Sequence, residues 1–150
     1  MNGKIILLVE DNQDDEELAV LAFERSRIAS AMVVVRDGQE ALDYFFGTAA
    51  HEGKDAKELP QVVLLDLKLP KVDGLEVLRR LRADPRTRRL PVVVLTSSKE
   101  EQDLLASYDR GANSYVRKPV DFPRFAETVH QLQMYWLVLN EVPTAGGEGP

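Results

Sequence analysis

The sequence predicts an α/β fold: a single doubly wound sheet of five parallel strands with helices on both faces. Short runs of branched aliphatic residues alternate with longer segments whose apolar residues recur at helical spacing. This alternation favours parallel strands joined by crossover helices. The chain has 150 residues, of which 44% are hydrophobic and 29% charged, proportions that suit one globular domain with its own core.

The predicted strands are four strongly aliphatic runs and a fifth that is shorter and weaker. In chain order they are Lys4–Val9, Ala31–Val35, Gln61–Leu65, Pro91–Leu95 and Ser114–Arg117. Polar or turn-forming residues bound each run. Because parallel sheets are covered on both faces, their strands are expected to be largely apolar, as the first four of these runs are.

The predicted helices follow the strands one by one. They are Asp15–Arg27, Gly38–Phe46, Leu75–Ala83, Glu100–Arg110 and Phe122–Leu139. In the first, an apolar set that recurs at helical spacing is expected to face the core; it consists of Leu18, Leu21, Ala22 and Ile28. The acids from Asp14 to Glu17 favour the positive start of the helix. The last helix ends in the run Met134–Leu139, which is apolar on nearly every side and so calls for cover by another subunit.

Composition excludes several classes of function. Cysteine is absent, which rules out disulfides, thiolate metal sites and thiol nucleophiles and suits a reducing compartment. The run Ile5–Val9 is too short to span a membrane and does not resemble a secretory signal, so a cytoplasmic protein is expected. The net charge of −6 disfavours binding to nucleic acid or anionic membranes. Six arginines between Arg79 and Arg89 lack interleaved aromatics, which favours a solvated surface over a nucleic-acid patch.

The chain shows one domain and no internal repeat. We expect the domain to span residues 1–140 and residues 141–150, rich in glycine and proline, to form a flexible tail. The segment Gly47–Pro60 is longer than an ordinary connection, and it is either a docking element or a tolerated surface insertion.

Polar side chains follow the predicted strands, at the edge where ligands bind in open parallel sheets. Glu10 and Asp11 follow the first strand and Asp66 follows the third. Thr96 and Ser97 follow the fourth strand, and Lys118 follows the fifth.

Two carboxylates about 4 Å apart repel by about 4 kcal/mol at an effective dielectric near 20, so three together need a counter-charge. Hard oxygen ligands favour Mg²⁺. Because a carboxylate can attack phosphorus, Asp66 is the expected nucleophile. Any one of these residues could merely cap a helix; their joint position is the signal.

Together these segments resemble the receiver domain of two-component response regulators over about residues 4–140. The matching segments are Val9-Glu10-Asp11-Asn12, Leu64–Pro70 with Asp73-Gly74, Leu95-Thr96-Ser97-Ser98, and Gly111–Tyr115 leading into Lys118-Pro119-Val120. The resemblance implies the flavodoxin-like strand order 2-1-3-4-5.

The resemblance also implies a role for each site residue. Asp66 accepts the phosphoryl group of a histidine kinase, and Asp11, Asp66 and the backbone carbonyl of Lys68 ligate Mg²⁺. Glu10 stands where many relatives have aspartate and acts on the metal mainly through a bound water. Lys118 pairs with the phosphoryl group, and its bond to Pro119 is expected to be cis.

A switch is implied as well. In the family, a threonine hydroxyl moves to the phosphoryl group and an aromatic ring turns inward. Here those residues are Thr96, beside Ser97, and Tyr115, and the outcome is an altered surface that a target protein or a downstream phosphotransfer partner recognises.

Within the family, the chain is most similar to stand-alone regulators paired with bacterial phytochrome kinases. The features that indicate this subgroup are the long segment Gly47–Pro60, the run Leu67–Gly74 and Tyr135-Trp136-Leu137. Similarity to this subgroup also implies a homodimer.

Three other functions compete with a signalling role. A phosphatase of the haloacid-dehalogenase type needs a second aspartate two residues after the nucleophile, where this chain has Lys68. A nucleotide-binding protein would have a glycine-rich motif after the first strand, and none is present. A scaffold without chemistry would not need the acidic residues that this chain retains.

Overall fold

The computed structural model describes residues 4–26, 28, 30–47, 59–118 and 121–141. Five parallel strands form one sheet in the order β2-β1-β3-β4-β5. The strands are β1 (Lys4–Val9), β2 (Ser30–Val35), β3 (Val62–Leu65), β4 (Val92–Thr96) and β5 (Ser114–Arg117). The predicted fold class and strand order are therefore confirmed.

Five α-helices connect and follow the strands. They are α1 (Gln13–Arg25), α2 (Gly38–Phe46), α3 (Gly74–Ala83), α4 (Glu101–Asp109) and α5 (Phe122–Gln133). At four of them an Asn or Asp side chain caps the helix by accepting the backbone N–H three residues further on; these caps are Asn12, Asp37, Asp73 and Asp121. Among the described residues, no helix is both long and apolar enough to cross a bilayer.

The sheet separates two apolar layers. Along β1, Leu7 and Val9 face a layer that includes side chains of α2 and α3. Ile6 and Leu8 face the opposite layer, which α1 and α5 complete. The alternation of side chains along a strand thus supplies both faces, and it leaves the carboxyl edge of the sheet open for polar groups.

The buried face of α1 differs from the prediction. Leu18 and Leu21 are 36% and 43% exposed, whereas Ala19, Ala22 and Phe23 are buried. Two small alanines on the inner face let the helix lie close to its neighbours, so the larger leucines point away from the core. The prediction is correct for Ala22 and wrong for the two leucines; Ile28 packs against the core but lies after the end of α1.

The end of the chain also departs from the predicted single helix. After Gln133 the backbone widens into a π-helical turn, Met134–Leu139. The backbone N–H of Asn140 donates to the carbonyl of Tyr135, five residues earlier, at 2.7 Å. Trp136 and Leu137 are buried in the chain's own core, while the exposed remainder consists of Met134, Tyr135, Val138 and Leu139. The apolar run is therefore only partly covered by its own chain.

Three predictions concern residues outside the described ranges. They are the flexible tail from residue 142 onward, most of the segment Gly47–Pro60 and the bond between Lys118 and Pro119. The tail, the role of the segment and the cis geometry of that bond remain predictions.

Candidate functional site

The register of the sheet brings the acidic residues together. Val9 at the end of β1 lies opposite Leu65 at the end of β3. Glu10 and Asp66 follow these two residues directly and therefore emerge beside each other at the carboxyl edge. Both side chains are buried, with relative exposures of 2% for Glu10 and 7% for Asp66.

Lys118 lies at the centre of the site and contacts three carboxylates. Its Nζ is 2.6 Å from Glu10 Oε1, 2.8 Å from Asp15 Oδ2 and 3.0 Å from Asp66 Oδ2. The Lys118 side chain is only 7% exposed. An ammonium has three N–H donors, and each of them has a carboxylate acceptor here. The predicted convergence of Lys118 on Glu10 and Asp66 is thus present in the structure.

Asp15 is a site residue that sequence reasoning missed. The sequence indicates it only as one of several acids that favour the start of α1. Its backbone N–H donates to Asn12 Oδ1 at 2.8 Å, which fixes it in the first turn of the helix, directly above the strand ends. The signal that could have identified it is this spacing: a helix capped at Asn12 carries its first turn back over Glu10.

Three carboxylates form a group that could hold a metal ion. One ligand oxygen from each of Glu10, Asp11 and Asp66 lies within 4.8 Å of the other two. Asp11 is exposed while the other two are buried, so the group has one side open to solvent. Oxygen donors of this kind suit Mg²⁺ or Mn²⁺. The Lys118 ammonium offsets only one of the three carboxylate charges, so a bound cation would balance the remaining negative charge. The residues present therefore fit a divalent metal.

The loop after β3 fixes the Asp66 carboxylate. The backbone N–H of Leu67 donates to Asp66 Oδ1 at 2.7 Å, and that of Lys68 lies 3.5 Å from the same oxygen. The N–H of Gly74 donates to the Leu67 carbonyl at 2.9 Å and so ties the loop to the start of α3. A Cβ at Gly74 would lie 2.3 Å from the Asp66 carbonyl oxygen, so only glycine allows this approach.

Burial and charge act on the titration of the site. Burial raises the pKa of Glu10 to about 7; the hydrogen bond from Lys118 opposes the rise and the charge of Asp66 adds to it. Burial alone would lower the pKa of Lys118, but hydrogen bonds to Asp15 and Glu10, together with attraction to Asp66 and Glu10, raise it above its ordinary value. Lys118 is therefore a cation at any physiological pH.

The residues predicted to act as a switch meet at Ser98. Thr96 is buried and its Oγ1 accepts the Ser98 N–H at 3.3 Å, while Ser97 is exposed. The hydroxyl of half-buried Tyr115 donates to the Ser98 carbonyl at 3.4 Å. Ser98 Oγ in turn donates to Asp103 Oδ2, in the first turn of α4, at 2.6 Å. Thr96 and Tyr115 are thus linked through Ser98, a connection that the sequence did not reveal.

Comparison with known proteins places these features in a family. The model of the response regulator receiver domain matches residues 6–130, a range that includes the site from Glu10 to Lys118. The probable methanogenesis regulatory protein FilR2 of Methanothrix harundinacea is 46% identical over 139 residues, which cover 93% of this chain and 87% of FilR2. Response regulator Rcp1 of Synechocystis sp. is 36% identical over 142 residues, which cover 95% of each protein.

Solved structures show the same likeness over nearly the whole chain. The Mn²⁺-bound form of Rcp1 has a TM-score of 0.85 at 36% identity and covers 93% of this chain and 99% of its own. The phosphorylated cyanobacterial phytochrome response regulator RcpA has a TM-score of 0.83 at 39% identity, with coverages of 94% and 99%. The bacteriophytochrome response regulator AtBRR is 50% identical, with a TM-score of 0.70 and coverages of 94% and 100%.

Proposed function

Because the chain belongs to the family of response regulator receiver domains, we propose that it is a signalling protein in which Asp66 accepts a phosphoryl group from a histidine kinase. The observation that supports this best is the position of Lys118 Nζ between the buried carboxylates of Glu10 and Asp66. A buried carboxylate with a cation at its side, at the open edge of the sheet, is suited to receive a group that brings more negative charge.

The transfer is a substitution at phosphorus. An oxygen of the Asp66 carboxylate attacks the phosphorus of the kinase phosphohistidine, the P–N bond breaks, and its electron pair stays on the imidazole nitrogen. Asp66 becomes an acyl phosphate. The Lys118 ammonium faces the incoming phosphoryl oxygens and offsets their charge. Backbone N–H groups of Leu67 and Lys68 hold the attacking carboxylate in place.

Asp11, Asp66 and the backbone carbonyl of Lys68 are proposed to hold Mg²⁺, with Glu10 acting on it less directly. When bound, the ion supplies positive charge that stabilises the phosphoryl oxygens during transfer. The relative Rcp1 has a structure in a Mn²⁺-bound form, which supports binding of a divalent ion by this chain. The cluster of three carboxylates formed by Glu10, Asp11 and Asp66 supports a divalent ion independently.

We propose that the protein also assists removal of the phosphoryl group. A water oxygen attacks phosphorus, the bond between phosphorus and the Asp66 oxygen breaks, and the electron pair returns to the carboxylate. The protons of the water leave with the inorganic phosphate or pass to solvent. Because the Asp66 side chain is only 9% exposed, water reaches the acyl phosphate over a narrow range of directions. Lys68 and Ser98, each two positions after a site residue (Asp66 and Thr96), are proposed to influence the lifetime of the phosphorylated state.

Phosphorylation is proposed to change the surface near α4. Thr96, with Ser97 beside it, would turn to the new phosphoryl oxygens and give up its bond with the Ser98 N–H. Tyr115 would then lose its acceptor at the Ser98 carbonyl and move inward. Because Ser98 also binds Asp103, the start of α4 would be released together with the loop. A downstream target or phosphotransfer partner would recognise that surface.

The kinase is proposed to be of the phytochrome type. Similarity to RcpA and to AtBRR, both named as phytochrome response regulators, supports this assignment.

We further propose a homodimer that covers the exposed apolar side chains of Met134, Tyr135, Val138 and Leu139. Residues 1–140 would form the receiver domain and residues 141–150 a flexible tail, in a protein that acts in the cytoplasm without binding nucleic acid or membranes.

Phosphoryl transfer from a purified, autophosphorylated phytochrome kinase tests the proposal. We expect the wild-type protein to gain one phosphoryl group in the presence of Mg²⁺, detected by intact mass, and Asp66→Asn to gain none. Asp109→Asn, an equal change at an exposed position of α4, should be phosphorylated like the wild type. Labelling of Asp66→Asn at the wild-type rate would exclude Asp66 as the acceptor.

A further inference from the structure

We propose that Asp15 is the positioning residue of Lys118, keeping the ammonium beside Asp66 when the other two carboxylates engage the cation and the phosphoryl group. This inference rests on the proposed function, since it concerns the geometry of phosphoryl transfer to Asp66. It adds a fourth carboxylate to the site, one that lies outside the group suited to a metal.

The contacts of Lys118 show why such a residue is needed. Its three donors reach Glu10, Asp15 and Asp66. Glu10 and Asp66 also belong to the carboxylate group that fits a divalent ion, whereas Asp15 does not. When a divalent cation binds Glu10 and Asp66, it offsets the charge of both carboxylates and repels the Lys118 ammonium. Both carboxylates then attract the ammonium less strongly. Asp15 is the acceptor that remains.

The placement of Asp15 suits this task. Its backbone is fixed by the bond from its N–H to Asn12 Oδ1, and the Glu16 N–H donates to the Asn12 carbonyl at 2.9 Å. The carboxylate therefore projects from the first turn of a helix and not from a loose loop. Because 34% of its side chain is exposed, the Asp15 carboxylate is only partly removed from water and loses little hydration in this position.

This arrangement leaves the other two donors of Lys118 available. With one donor on Asp15, the ammonium can turn the remaining two to the oxygens of the phosphoryl group on Asp66 without leaving the site. Asp15 thus acts through Lys118 and does not itself contact the reacting atoms.

The matched pair Asp15→Asn and Asp14→Asn tests the proposal. Both changes remove one negative charge from the first turn of α1, but Asp14 is exposed and, among the described residues, forms no ion pair with Lys118. Acetyl phosphate is the donor, with saturating Mg²⁺: the Asp66 oxygen attacks phosphorus, the P–O bond to the acetyl group breaks, and acetate leaves. We expect Asp15→Asn to slow phosphorylation between about threefold and about tenfold, the size of one lost charge-assisted hydrogen bond at a partly exposed position. Asp14→Asn should match the wild type, and Asp15→Glu should recover part of the rate.

A second measurement does not depend on phosphorylation. In ¹⁵N-resolved NMR of the Mg²⁺-loaded and the metal-free protein, the ammonium protons of Lys118 should exchange slowly with water while Asp15 holds them. In Asp15→Asn the signal should broaden or vanish, most clearly with Mg²⁺, and Asp14→Asn should preserve it. In a Lys118→Ala background, Asp15→Asn should have no further effect on the rate of phosphorylation.

The outcomes separate this proposal from the proposed function. If wild-type Asp66 is phosphorylated but Asp15→Asn is as fast as the wild type or faster, or slows Lys118→Ala equally, Asp15 does not position Lys118 and the proposed function stands. An unchanged Lys118 signal in Asp15→Asn would likewise exclude the positioning role. If the wild type gains no phosphoryl group from either donor, the proposed function itself is wrong.

Discussion

At the scale of single residues, Gln133 has a buried side-chain amide whose lost hydrogen bonds to water are not replaced by bonds to the described residues. It lies at the end of α5 with 0% of its surface exposed, and neither its Nε2 nor its Oε1 has a hydrogen-bond partner among the described residues. Its neighbours on the same helix face are Phe125 and Val129. A buried amide without partners lowers stability, because it has lost its hydrogen bonds to water.

Replacing Gln133 with methionine should therefore stabilise the fold. Methionine has a similar length and no polar group to satisfy, and we expect the free energy of unfolding to rise by about 1–2 kcal/mol. Chemical denaturation measures this change. The control is Gln131→Met, at an exposed position of the same helix, which should alter stability by less than about 0.5 kcal/mol. A loss of stability in Gln133→Met would indicate that the amide has a partner such as a buried water.

At the scale of elements, Arg82 joins three parts of the chain. It belongs to α3, and its guanidinium donates to the carbonyl of Leu90 before β4 and to the carbonyl of Gly111 before β5. It also donates to Asn113 Oδ1, which accepts the backbone N–H of Val92 at 2.8 Å. Burial lowers the pKa of Arg82, and the acceptors found for it among the described residues carry no full charge.

Loss of Arg82 should loosen all three parts together. Arg82→Met keeps much of the aliphatic stem but leaves several partly buried carbonyls without a donor, so we expect the free energy of unfolding to fall by about 2–4 kcal/mol. Arg80→Met provides the comparison, because the Arg80 side chain is 52% exposed and pairs only with Glu76 among the described residues. That change should cost less than about 1 kcal/mol. Equal losses in the two variants would show that Arg82 is an ordinary surface residue.

Arg82 also shows where sequence reasoning reaches its limit. It belongs to an arginine-rich run for which the sequence predicts a solvated surface throughout. The prediction is correct for the five exposed members Arg79, Arg80, Arg86, Arg88 and Arg89, and it is wrong for Arg82. Its partners Leu90 and Gly111 are brought near by the β4 and β5 crossovers, and neither composition nor periodicity encodes such a contact.

Local signals predicted the other elements well. Asp37 caps α2 and Gly47 follows it with a positive φ of 80°, so the predicted helix Gly38–Phe46 has the observed bounds. Four strands were predictable because each contains a run of at least four apolar residues, whereas β5 (Ser114–Arg117) has a weaker pattern. The break at Gln133 was not predictable, since an i to i+5 hydrogen bond depends on how Trp136 and Leu137 pack under the sheet.

The residues of the candidate site also fall into two sets, those that the sequence predicts and those that it does not. The four strand-end residues Glu10, Asp66, Thr96 and Lys118 were predictable because parallel strands end at one edge. Asp15 and Ser98 were not, because their roles depend on side-chain directions that no spacing reveals. Sequence reasoning thus identified the groups proposed for the chemistry and missed the groups that connect them.

At the scale of the whole molecule, cation binding should be linked to folding. The carboxylates of Glu10, Asp11 and Asp66 come together only in the folded chain, so an ion that binds them stabilises that state. At a free Mg²⁺ concentration about 100 times the dissociation constant, the stabilisation is about 2.7 kcal/mol. Thermal unfolding with Mg²⁺ and with a chelator should show a higher midpoint with Mg²⁺.

The variant Asp11→Asn tests whether this stabilisation comes from the proposed site. It should lose most of the increase with Mg²⁺, while Asp14→Asn, which removes the same charge nearby, should retain it. An equal response in the two variants would mean that Mg²⁺ acts on general surface charge.

Association of two chains is the other property at this scale. We expect light scattering to show a dimer, and Leu139→Asp, at a position 64% exposed, to shift the equilibrium to the monomer. Leu105→Asp changes a similarly exposed apolar residue on α4 and is the comparison. A wild-type protein that stays monomeric at high concentration would exclude the proposed dimer, and a monomer from Leu105→Asp instead would move the interface to α4.

The acidic residues of the site and its lysine lie far apart along the sequence, and this separation has a further consequence. Lys118 follows the last strand, 108 positions after Glu10. A chain that ends before β5 would lack this ammonium and also the α5 side chains that complete one apolar layer, so the acidic site and its counter-charge could not form together. We therefore expect such a truncated chain to take up no phosphoryl group from a kinase.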